Sequence, residues 1–217
     1  MLKQVFLATL MIMYSSDRAS MHNHPEDQDA ISINKINNIN KTKKKKVLIV
    51  SYSMQTNKNP MPIQLQAALQ EKGINADLDR IITHAFETWA QRAKITTYTM
   101  LNQTVEIEPM QFDPQDYEII VFIFPVWSNN VALPIISYME LYKAKLESKQ
   151  KICFLVKCRE ESMDAHLAFG TFNRMYDTEF ALQPVMITTE DVNTGKSLDK
   201  IKEMVQEIQM FFDDKNS

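Results

Sequence analysis

The sequence predicts an α/β fold: three layers, doubly wound around a five-stranded parallel sheet with the spatial order 2-1-3-4-5. Three observations carry this reading. Val47–Val50, Ile119–Phe124 and Ile152–Val156 are continuous apolar runs. Each is too short for a core helix and reads as a strand buried on both faces. Segments with helical spacing separate these runs, so strand and helix alternate to five strands and five helices, the pattern of a parallel sheet covered on both sides. The second strand is different, because Ile74, Ala76 and Leu78 alternate with Asn75, Asp77 and Asp79. Such a strand is half exposed and belongs at a sheet edge. A buried first strand beside an edge second strand, joined by right-handed crossovers, gives the stated order. Its switch point lies between strands 1 and 3, where a ligand is expected at the carboxyl ends.

The elements follow in order. After Val47–Val50 a polar loop runs from Ser51 to Asn59. Asn59 can cap a helix and Pro60 suits its first turn. Ile63, Leu65, Ala68 and Leu69 supply the apolar face of that helix, and Gly73 stops it. Residues 82–112 are hard to read, with helical pieces expected around Ala85–Ala93 and Thr96–Met100 and breaks at Pro109 and Pro114. Ile119–Phe124 is the third strand, Pro134–Leu146 a helix and Ile152–Val156 the fourth strand. Asp164–Met175 reads as helical and Phe180–Thr188 as the last strand. Leu198, Ile201, Met204, Val205, Ile208 and Phe212 recur at helical spacing, so the chain ends in an amphipathic helix.

Residues 1–45 read as a leader and linker, and 46–217 as the folded domain. Lys3 and the apolar stretch Val5–Tyr14 resemble the start of a secretory signal, but Asp17-Arg18-Ala19-Ser20 is a poor cleavage site. The expected location is therefore cytoplasmic, with export the alternative if residues 1–20 act as a signal. The stretch before Lys46 is rich in Asn, Lys and Asp and cannot bury much surface. His22 and His24 have no third ligand nearby and read as solvated, as does the Lys41–Lys46 cluster.

A formal charge of −3 gives no case for nucleic acid as a partner. The two cysteines, Cys153 and Cys158, stand five apart on a strand and its end, on opposite faces, so no disulfide is expected between them. Cys158, between Lys157 and Arg159, is either a thiol with lowered pKa or a structural one. His84 and His166 stand alone, and Phe86 and Trp89 read as packing residues. Nothing has metal-ligand spacing.

Three segments carry a family resemblance. Lys46-Val-Leu-Ile-Val-Ser-Tyr-Ser53 resembles the opening strand of flavodoxins, which leads into a Ser-x-Thr-Gly-Asn-Thr loop. Asp116-Tyr-Glu-Ile-Ile-Val-Phe-Ile-Phe-Pro-Val-Trp-Ser128 resembles the family's third strand and its Pro-x-Trp loop against the flavin ring. Ile187–Phe212 is similar to the final strand and helix. The resemblance covers roughly residues 46–212 and implies a flavodoxin-like fold. It further implies FMN, with the phosphate held by Ser53, Gln55, Thr56, Asn57, Lys58 and Asn59. By the same resemblance the ring lies against Pro125, Val126 and Trp127. The backbone of Ser128, Asn129 and Asn130 faces its N5 edge, and Cys158 and Arg159 stand in the loop after strand 4.

The implied activity is electron or hydride transfer as an FMN-dependent, NAD(P)H oxidoreductase-like protein, with a redox partner protein or NAD(P)H as donor and a small acceptor. A homodimer is compatible with it, whereas an integral membrane segment is not expected. The departures from the family concern glycine, which serves where backbone must approach a ligand. The loop after the first strand has none, and Asn57 or Thr56 takes its place. Lys157-Cys158-Arg159-Glu160-Glu161 is bulky and charged, and Ser128-Asn129-Asn130 replaces small residues. Two readings stay open: a reshaped flavin pocket, or a flavodoxin-fold binding module without cofactor.

Overall fold

The computed structural model describes residues 45–54, 59–101, 103–127, 130–146, 151–159, 169–170 and 182–215. Its sheet has five parallel strands: β1 (Lys46–Ser51), β2 (Asn75–Arg80), β3 (Ile119–Pro125), β4 (Lys151–Lys157) and β5 (Val185–Ile187), in the order β2-β1-β3-β4-β5. The expected doubly wound order is the observed one.

Successive residues of a strand point to opposite faces, and here both faces are buried. Val47, Ile49, Ile119, Val121, Ile123, Cys153 and Leu155 share one core with α1 (Met61–Glu71) and the C-terminal helix Lys196–Asp214. Leu48, Val50, Ile120, Phe122, Phe124, Phe154 and Val156 share the other core with the helix Leu133–Leu141. Cys153 and Cys158 are both buried, and the described residues contain no disulfide between them. Burial pushes the Cys153 thiol up to about 12.

Between β2 and β3 the chain forms α2 (Trp89–Arg92) and α3 (Ile95–Met100), each shorter than or close to the expected piece, then an extended strap over residues 103–112. Its anchors are polar and come from distant parts of the chain. The Asp79 carboxylate accepts the N–H groups of Gln111 (2.9 Å) and Phe112 (3.0 Å). Val105 N–H donates to the Ser137 hydroxyl (2.8 Å), which itself donates to the Leu133 carbonyl. Val105, Ile107, Met110 and Phe112 pack onto the second core. This covering explains why α4 (Leu133–Leu141) is buried from Leu133 through Met139, with no polar face of its own. The expected helix Pro134–Leu146 is in fact α4 followed by the short α5 (Lys143–Leu146).

Three expectations are corrected. Ile63 is 54% exposed, and the inward face of α1 is Met61, Pro62, Leu65 and Leu69. Leu198 is likewise exposed at the start of the C-terminal helix, where only Ser197 and then Ile201 onward reach the core. The last strand is short: Leu182, Gln183 and Pro184 lie outside β5, and a separate helix, α6 (Thr189–Thr194), follows it. Thr188 and Asp191 form a reciprocal capping box at the start of α6, and Gly195 at φ 79° turns the chain into α7 (Lys196–Asp214). The expected helix Asp164–Met175 lies outside the described residues except for Phe169 and Gly170, which are helical. The leader, residues 1–44, lies outside them entirely.

Candidate functional site at the carboxyl ends of the strands

The ladder continues past the strand ends and brings three loops together. Tyr52 N–H donates to the Ile123 carbonyl, Val126 N–H to Lys157, and Cys158 N–H to Ile187, at 2.9, 3.0 and 3.0 Å. These bonds fix the exits of β1, β3, β4 and β5 at one end of the sheet, where the order reverses. A cavity of about 410 Å³ opens there. The exit of β1 contributes Ser53 and Met54, the exit of β3 contributes Pro125, Val126 and Trp127, and the exit of β4 contributes Lys157, Cys158 and Arg159. Arg92 of α2 and Thr189 of α6 complete the described lining. The size lies in the range of small-molecule sites, roughly 300–1,000 Å³.

Trp127 is held tightly. Its ring meets Tyr52 and Phe86 edge-on, both at 5.4 Å and close to perpendicular, and it is only 9% exposed. Trp127 and Asn130 exchange both backbone hydrogen bonds, at 3.0 and 2.8 Å, and the Asn130 side chain accepts the Val131 N–H. The indole thus forms a fixed wall of the cavity. Phe86 packs as expected. Trp89 does not: it is 83% exposed, on the single-turn helix α2, none of whose residues is buried.

Of the residues singled out from the sequence, Ser53, Pro125, Val126, Trp127, Cys158 and Arg159 line the cavity. Asn130 and Asn59 stand beside it on the same loops. Gln55, Thr56, Asn57, Lys58, Ser128 and Asn129 lie outside the described residues, as do Glu160 and Glu161. Asn59 caps α1 in an unexpected way: its side-chain oxygen accepts the Met61 N–H (3.2 Å), while Pro60 occupies the cap position itself. With Met61 N–H taken, Pro62 lacking one and Gln64 N–H bonded to the Pro60 carbonyl, the first turn of α1 has little left to offer an anion. The helix N-terminus expected to face a phosphate is therefore poor in donors.

Among the lining residues that the sequence did not reveal, which include Thr189, Arg92 reaches the cavity from α2. Its Nε donates to the Phe86 carbonyl (2.9 Å) and its Nη2 to the Glu87 carbonyl (3.2 Å). No motif announces it, since its place depends on how residues 81–92 fold back over Tyr52 and Trp127. Burial pushes the Tyr52 phenol up, and the nearby Arg92 charge opposes this only partly. The Cys158 thiol is buried and points at the Ile187 carbonyl (3.8 Å).

A second cavity, of about 400 Å³, lies between Thr83–Ala85 and Glu106–Pro109. There His84, which reads as solitary in the sequence, has Glu87 on Nδ1 and Glu108 on Nε2 (3.1 Å). These two carboxylates, Glu87 first, hold its pKa above the usual histidine value. No group of side chains able to hold a metal occurs among the described residues. No helix among them is long and apolar enough to cross a membrane.

No protein-family profile matches the chain, and no curated protein matches it in sequence. Solved structures do match in shape. A flavoprotein in complex with FMN from Lactobacillus acidophilus is 17% identical, with a TM-score of 0.50 over 69% of this chain and 97% of that one. A proposed flavoprotein from Bacteroides uniformis is 14% identical, with a TM-score of 0.53 over 76% and 99%. Rubredoxin oxygen:oxidoreductase from Desulfovibrio gigas is 14% identical, with a TM-score of 0.50 over 83% of this chain and 40% of that one. Strand order, layering and these likenesses together establish that this chain has the flavodoxin-like fold.

Proposed function

We propose that this chain binds FMN at the carboxyl ends of β1, β3 and β4 and takes part in electron or hydride transfer, with NAD(P)H or a redox protein as donor and a small molecule as acceptor. The observation that carries this reading is the cavity of about 410 Å³ at the switch point, with Trp127 fixed in its wall. The residues present fit such a group. Pro125, Val126 and Trp127 offer a flat apolar wall, and Ser53 opens the segment through Asn59, whose hydroxyls, amides and Lys58 suit a phosphate. Likeness to an FMN complex supports the same assignment.

When bound, FMN supplies the redox chemistry, accepting and releasing electrons or hydride. The chain's own part is to bind, orient and exclude water. Tyr52 and Phe86 lock the indole of Trp127 and so fix the plane against which a ring can lie. The bond from Val126 N–H to the Lys157 carbonyl sets the spacing between the loops on either side. The test is reconstitution: purified chain with added FMN should acquire a stoichiometric flavin spectrum and oxidise NADPH or NADH with an acceptor present. Failure to retain flavin at micromolar concentration refutes the reading.

A second reading, a cofactor-free interaction module, is favoured by one observation. The donor-poor first turn of α1, together with loops lacking glycine, weakens the grip on a phosphate. A thermal midpoint that does not move with FMN supports this second reading.

A further inference from the structure

A small recess lies at the carboxyl ends of β1 and β2, lined by Ser51, Ser53, Asn59, Pro62 and Arg80 among others. Ser53 lines both this recess and the cavity, so the two adjoin. At about 10 Å³ it has the room of one water-sized group, too little for a ring. Ser51 and Arg80 are partners in the β1–β2 ladder, and parallel partners point to the same face. That face is the one α1 covers: Val47 and Ile49 precede Ser51 on it, and Ala76 and Leu78 precede Arg80. The polar groups gathered there are donors. Ser51 is 6% exposed, and its hydroxyl has no hydrogen-bond partner among the described residues. The Asn59 side-chain oxygen is taken by Met61 N–H, which leaves its amide N–H groups to offer. Arg80 is half-buried and adds a guanidinium with five N–H donors. Among the described residues no carboxylate lines the recess, and α1 has no acidic residue in its first turn.

A cation beside the start of a helix is unfavourable by itself, because both present positive charge. A buried hydroxyl without a partner is costly as well. One anionic oxygen in the recess relieves both, since it accepts from Ser51 and balances Arg80. We propose that this recess is the phosphate anchor of the site: Arg80 from the end of β2 and Ser51 from the end of β1 hold one oxygen of a phosphomonoester whose ring lies in the adjoining cavity. The grip then comes from side chains, where the first turn of α1 is poor in donors. The identity of that ligand as FMN rests on the preceding assignment; the recess itself does not.

The test compares FMN with riboflavin, which has the same ring and ribityl chain but no phosphate, on the full chain by fluorescence titration. Arg80→Gln should weaken FMN binding about tenfold and Ser51→Ala about threefold, with riboflavin affinity unchanged. Arg80→Lys, which keeps the charge without the fork, should fall between wild type and Arg80→Gln. Equal binding of FMN and riboflavin by the wild type, or an FMN affinity that either Arg80→Gln or Ser51→Ala leaves unaltered, overturns the proposal. An equal loss for riboflavin also overturns it, because the two residues would then shape the fold and not hold the phosphate. If the wild type binds neither flavin, the cofactor assignment fails by itself, and phenyl phosphate decides the recess. A rise in Tm of the wild type with phenyl phosphate that Arg80→Gln abolishes retains the anion site, and any other result removes it.

Discussion

Replacing Asp79 with alanine should release the strap that covers α4. Asp79 is buried on β2, and its carboxylate accepts two backbone N–H groups, those of Gln111 and Phe112, at 2.9 and 3.0 Å. A hydrogen bond to a charged group contributes about 1.5–3 kcal/mol, and a buried donor left unpaired costs about 1–3 kcal/mol. Gln111 is exposed, so water can replace its partner, whereas Phe112 is half buried against the second core. The expected loss for Asp79→Ala is therefore about 3 kcal/mol, with roughly two thirds of it from Phe112. Asp79→Asn keeps one oxygen and should lose only about 1 kcal/mol. For a domain of this size, 3 kcal/mol corresponds to about 6–12 °C in Tm. Urea denaturation of the three proteins, with the slope unchanged, measures it. If Asp79→Ala loses less than about 0.5 kcal/mol, or the two variants behave alike, the carboxylate does not hold the strap and the account of it is wrong.

Four more outcomes follow from the same structure. The Tyr138 hydroxyl is buried with no partner among the described residues, so Tyr138→Phe should be neutral or add about 1 kcal/mol in urea denaturation, and a loss would reveal a hidden partner. The His84 pKa is raised by Glu87 and Glu108, so its stabilisation is fully present below the unfolded value of 6.5 and disappears as pH rises through the raised value. The Tm difference between wild type and His84→Gln should accordingly be larger at pH 6 than at pH 9. In alkylation followed by mass spectrometry, Cys153 should stay unreacted in the folded protein, and FMN should slow the reaction of Cys158, which lines the cavity. Pro62→Ala would add an N–H to the first turn of α1 and should tighten FMN binding about threefold in a fluorescence titration, with no effect on riboflavin.

Much of the fold is legible in the sequence because strands buried on both faces write themselves as unbroken runs. Val47–Val50, Ile119–Phe124 and Ile152–Val156 fall inside β1, β3 and β4, and the alternation at Ile74–Leu78 marks the edge strand β2. The strap over residues 103–112 is not legible, because its anchors are Asp79 and Ser137, each 32 residues or more from the N–H it accepts. Only Val105 and Ile107, two apart, hint that one side of it turns inward. The Pro125-Val126-Trp127 wall is legible because the switch point follows from strand order. The enclosure of Trp127 by Tyr52 and Phe86 is not, since it requires the segment after β2 to fold across the site, and the same fold brings Arg92 to the cavity.

The most direct test of the central claim is an FMN titration of the purified chain, followed through Trp127 fluorescence. The chain has two tryptophans, and the exposed Trp89 can be replaced by phenylalanine to leave Trp127 as the sole reporter. FMN bound against Trp127 should give saturable quenching at one FMN per chain with a micromolar or tighter Kd, together with a rise in Tm as FMN is added. Unchanged Trp127 emission and an unmoved Tm at saturating FMN would contradict it.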